Sequence, residues 1–98
     1  MKVHVLGVRG STPAPGHDFA RHGGNTSCIA LAMDGRPPSL ILDAGTGLRG
    51  LGGLLGEAPF RGALLLGHLH WDHTQGLPFC RAVDHDGAEV RLDRKSVV

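Results

Sequence analysis

Long hydrophobic runs are missing from these 98 residues. The longest, residues 28–33 and 63–66, fall far short of the ~20 apolar residues that span a bilayer. Arg9 interrupts the N-terminal apolar stretch before it can serve as a secretory leader. A cytoplasmic location with no membrane partner is therefore expected. Cysteine is scarce too. Cys28 and Cys80 cannot build a disulfide framework, and no spaced cysteine pairs suggest a zinc finger. Both read as small buried residues rather than ligands. An excess of one charge is also absent. Ten Lys and Arg against nine Asp and Glu leave +1, which does not suit a strongly basic nucleic-acid binder. Frequent apolar runs at this low net charge exclude a disordered chain.

Glycine and histidine are abundant instead, at 16 and 7 residues. The glycine share is roughly double the ~7% average, which favours turns and close backbone approaches over long helices. Strands are expected at residues 2–7, 27–33, 39–42, 62–67 and 88–92. The turn at Asp34-Gly35 joins the second and third as a hairpin. A short helix is expected over 48–55, weakened by Gly50, Gly52 and Gly53. Residues 8–26 form a loop longer than the ~12–15 residues usual for a connection without a function. The order is strand, strand, strand, helix, strand, followed by a histidine-rich loop.

That loop reads His68-Leu69-His70-Trp71-Asp72-His73. In extended backbone, residues two apart point to the same face, so His68 and His70 can converge on one cation. A bend at Asp72 and His73 aims both at a second position beside the first. Imidazole nitrogen and carboxylate oxygen are the donors zinc takes. Six residues thus offer two ligands to each of two metals. Trp71 is expected to pack on the sheet and prop this loop.

The pattern His68-x-His70-x-Asp72-His73 after a short buried strand resembles the metal motif of the metallo-β-lactamase fold superfamily. Residues 6–13 (Leu-Gly-Val-Arg-Gly-Ser-Thr-Pro), 23–28, 42–47 and 70–79 are similar to its phosphodiesterase-like branch, which includes ribonuclease Z-type and phosphoribosyl cyclic phosphodiesterase-like proteins. Leu69 departs from the threonine usual there, at a spacer position.

The resemblance implies an α/β fold: the N-terminal half of an αββα sandwich, mainly strands with one or two short helices. It implies two Zn2+ per complete site, with Mn2+ or Fe as substitutes. His68 and His70 would hold the first ion and Asp72 and His73 the second. Asp72 would also orient the attacking water, and Asp43 would brace the histidine loop from outside the ligand set. The activity implied is phosphodiester hydrolysis by a metal-activated hydroxide. The substrate would be a small cyclic phosphate, a nucleotide or RNA, and the full-length protein would have room to form a homodimer. Two alternatives stay open: a non-catalytic metal-binding protein, and a same-fold hydrolase of thioesters or lactams.

The remaining family ligands have no convincing counterpart after His73, and the sandwich needs roughly twice this length. Residues 1–92 are therefore expected to be an incomplete N-terminal part, inactive by itself. Residues 93–98 read as a non-native tail. They end abruptly, without a turn or cap, and back-translate as a common sequencing-adapter read-through.

Gly45-Thr46-Gly47-Leu48-Arg49-Gly50 fits G-x-G-x-x-G. Its dinucleotide-binding reading is set aside because a hairpin, not a βαβ unit, is expected upstream. His17, His22, Arg9, Arg21 and Arg49 read as solvated surface groups, with phosphate contact as their alternative role.

Overall fold

Apolar strands separated by glycine and proline turns pair here into one five-stranded sheet. The computed structural model describes residues 1–94. The strands are β1 (Lys2–Gly7), β2 (Cys28–Ala32), β3 (Pro38–Leu42), β4 (Arg61–Leu66) and β5 (Glu89–Arg94), adjacent in that order. β1–β2 and β2–β3 pair antiparallel, while β3–β4 and β4–β5 pair parallel. The result is a small mixed α/β unit made mostly of strand.

Side chains alternate across a sheet, and one face carries the core. Cys28, Ala30, Ile41, Leu64 and Leu66 pack there with Leu48, Leu51 and Phe60. The register puts Val3 opposite Leu31, Leu31 opposite Leu40 and Leu42 opposite Leu65, all on the other face. That face is also apolar, yet Val3 and Val5 are 55% and 60% exposed. Strands apolar on both sides are the pattern of a sheet covered on both sides; among the described residues only one side is covered.

The expected helix over 48–55 divides in two. Thr46–Gly50 winds as a 3-10 turn and Leu51–Leu55 as α1. Leu48 and Leu51, both fully buried, are three apart, which a 3-10 turn stacks on one side. β5 begins one residue later than expected and runs on to Arg94, with Asp93 and Arg94 opposite Leu65 and Leu66. Residues 95–98, the rest of the expected tail, lie outside the described residues.

The hairpin expected upstream forms, β2 pairing antiparallel with β3. It does not exclude a βαβ unit as expected, because β3, α1 and β4 form a parallel one, which the G-x-G-x-x-G stretch opens. Its backbone donors are nevertheless engaged. Gly45 N–H donates to the Ser27 carbonyl (2.9 Å) and Gly47 N–H to the Thr26 carbonyl (3.2 Å). Thr46 N–H donates to Thr26 Oγ1 (2.8 Å). A phosphate finds no cradle there.

The glycine excess has a packing cause at Gly76. Its N–H donates to the Ala44 carbonyl (2.8 Å), and a Cβ there would overlap the Gly45 carbonyl. Gly76→Ala is expected to cost ~1–3 kcal/mol, as overpacking does. In α1, Gly52 faces open space, and Gly52→Ala should gain ~0.5–1 kcal/mol. Urea unfolding of both variants reads the two opposite signs.

Burial pushes the Cys28 thiol up to about 12, with the negative charges of Cys80 and Asp43 adding to the effect. The unfolded chain loses this proton near 9.0 while the folded chain keeps it. The contribution is therefore whole below pH 9 and is lost as pH rises toward 12, at up to ~1.4 kcal/mol per pH unit. Urea unfolding between pH 8 and 10.5 should show this loss, and Cys28→Ala should flatten it.

Candidate metal centre

The histidine loop leaves the sheet at the C-terminal end of β4, a parallel strand. Ligand sites in parallel sheets gather at such ends. Residues 43–45, continuing β3, tie the loop down. Asp43 N–H donates to the Leu65 carbonyl and Ala44 N–H to the His73 carbonyl, both at 2.8 Å. The backbone of Asp43 is left-handed (φ 65°), a conformation Asp tolerates better than most residues. In it, Asp43 Oδ1 accepts the Gly67 N–H at 2.8 Å, which fixes the exit of the loop.

His70 is extended, and Trp71–His73 then wind as a 3-10 turn. This is the bend expected at Asp72 and His73. The His68 ring lies 5.3 Å from that of His70 and 5.1 Å from that of His73, centroid to centroid. Asp72 Oδ2 sits 3.4 Å from His73 Nε2. His68 and His70 are exposed, while Asp72 and His73 are half-buried. The four expected donors are thus neighbours, with His68 about as near to His73 as to His70. Among the described residues, no three His, Cys, Asp or Glu side chains are arranged to hold one metal ion.

His73 Nδ1 is buried and lies 3.1 Å from Asp43 Oδ2. The distance suits a hydrogen bond, but the alignment does not form one, and the nitrogen has no partner. A small ring rotation would satisfy it. Asp43 is therefore placed to brace the loop, at both Gly67 and His73.

Three imidazoles and a carboxylate on one loop, with a carboxylate behind His73, suit zinc and the other borderline divalent ions. By donor chemistry the residues fit such an ion.

Trp71 does not pack on the sheet. It is 68% exposed, in a 3-10 turn whose other two residues, Asp72 and His73, are half-buried. Cys80 is buried in the core, away from any ligand role. Ser11 was not singled out by sequence as a site residue, yet its N–H donates to Asp72 Oδ2 at 3.1 Å. Its left-handed backbone (φ 68°) turns the 8–26 loop there. Thr26 and Gln75 are buried beneath the loop, with Gln75 Nε2 3.5 Å from Thr26 Oγ1.

Among the described residues no helix is long and apolar enough to cross a membrane. No family model, curated protein or solved structure matches the chain.

Proposed function

We propose that this chain carries part of the dinuclear metal site of a phosphodiester hydrolase, on the N-terminal half of a metallo-β-lactamase-type sandwich. The observation that carries the reading is the gathering of His68, His70, Asp72 and His73 at the end of β4, backed by Asp43. The uncovered apolar sheet face supports the sandwich half of the reading, since a second sheet would cover it.

His68 and His70 would hold one ion, and Asp72 and His73 the other. A zinc, manganese or iron pair supplies Lewis-acid polarisation of the phosphoryl oxygens and brings the pKa of water toward neutrality. The protein's own part is positional. Asp43 and Gly67 fix where the loop starts. Ser11 N–H fixes one Asp72 oxygen, and the other can accept a hydrogen bond from the attacking water.

Two side-chain donors per ion leave each weakly held, since zinc takes four ligands. Weak holding favours metal binding without efficient turnover as a second reading. Zinc-loaded chain is assayed on bis-p-nitrophenyl phosphate, nitrocefin and a thioester. Little or no turnover is expected, any of it confined to the phosphodiester and removed by EDTA or His70→Ala. Preference for nitrocefin or the thioester would move the function to that class. A chain that takes up no zinc would sink the metal reading.

A further inference from the structure

The loop after β1 is a built element. Arg9 N–H donates to the Asn25 carbonyl (3.0 Å) and Ala14 N–H to the Gly24 carbonyl (2.9 Å). Arg9 also bridges to Thr26. These bonds close its base, as in an Ω-loop. A cavity of about 300 Å3 lies within it, lined by Val8, Arg9, Asp18, Phe19, Arg21 and His22 with Gly23. Arg9 is held from two sides. Its Nε–H donates to the Thr12 carbonyl at 2.7 Å, and its guanidinium carbon lies 4.6 Å from the Phe19 ring centroid. Fixing the guanidinium this way leaves its terminal N–H groups free to bind an anion with little ordering cost. The lining holds two arginines, Arg9 and Arg21, against one carboxylate, Asp18, so its formal charge is positive.

None of the four donors lines this cavity, but the chain connects the two through Ser11. Arg9 and Ser11 are two residues apart, at most ~7–8 Å of chain, and Ser11 N–H is bonded to Asp72. We propose that Arg9 and Arg21 form an anion subsite for a substrate phosphate other than the one attacked. The substrate then carries at least two phosphates, as an oligonucleotide or a phosphorylated nucleotide does and a small cyclic monophosphate does not. This deepens the phosphodiesterase reading and rests on it only for the identity of the ligand.

The test uses EDTA-treated full chain and inorganic phosphate, so it needs no metal. Two-dimensional NMR follows the amides of residues 8–24 and the arginine Nε–H signals. Saturable shifts confined to this loop are expected. Arg21→Gln, at an exposed position, should weaken phosphate ~10-fold, the loss of about one charged hydrogen bond. Asp18→Asn should tighten it several-fold by removing the opposing charge. Absent or non-saturable shifts, or unchanged affinity in both variants, would overturn the subsite. Zinc titration of the same samples reads the metal site separately, so failure of either proposal is told from failure of the other.

Discussion

Asp72→Ala is expected to remove one of two zinc equivalents from this chain, and His73→Ala to remove the same one. Each ion would have only two side-chain donors, so losing one leaves a single ligand. Loss of a supporting group outside the ligand set already costs ~10–100-fold in affinity; loss of a ligand should exceed ~100-fold. Asp72 should matter twice, because the Ser11 N–H bond ties the 8–26 loop to its Oδ2. His68→Ala and His70→Ala should remove the other ion and leave one of two zinc equivalents. His85→Ala is the control: its ring accepts the Gly87 N–H at 2.9 Å in a separate loop. Competition with a chromophoric chelator reads both affinity and stoichiometry. Affinity should also fall as the solution is acidified, since imidazole must be neutral to ligate. Equal zinc uptake by the Asp72→Ala chain would show that the metal binds elsewhere.

β3 and β4 were legible as apolar runs beside proline or glycine, and β1 and β5 by apolar residues alternating with polar ones. β1 matches residue for residue, and β2 and β3 to within one at each end. The glycine-rich stretch from 45 to 53 was harder. With few side chains to set a period, the 3-10 turn that stacks Leu48 on Leu51 left no signature. The βαβ crossover was missed for a related reason: strand direction is set by how the helix packs, not by local composition. The candidate donors stood out because the chemistry expected of them lies in side chains at fixed spacing. The Ser11–Asp72 contact was not. It spans 61 residues and uses a backbone N–H, which every residue except proline has. Trp71 misled because a large aromatic residue is usually buried, and only the turn geometry decides otherwise.

Asp43→Asn separates charge and proton geometry from backbone conformation at one position. Asn also tolerates the left-handed backbone at φ 65°, and its carbonyl oxygen can still accept the Gly67 N–H. Stability should therefore stay within ~0.5 kcal/mol of the parent. The amide nitrogen, however, takes the place of Oδ2, 3.1 Å from His73 Nδ1. An amide there only donates, so Nδ1 must accept, and the neutral ring then carries its proton on Nε2. That nitrogen faces Asp72 Oδ2 at 3.4 Å and is the one positioned to ligate beside it. The variant should lose zinc affinity ~10–100-fold with the fold intact. Asp43→Ala should lose zinc equally and also ~1–2 kcal/mol of stability, from the missing Gly67 bond and the strained φ. Nitrogen-15 spectra of the imidazoles read the tautomer, and urea unfolding reads the stability. Parent-like zinc affinity in Asp43→Asn would show that Asp43 holds the loop through Gly67 alone and leaves His73 to orient itself.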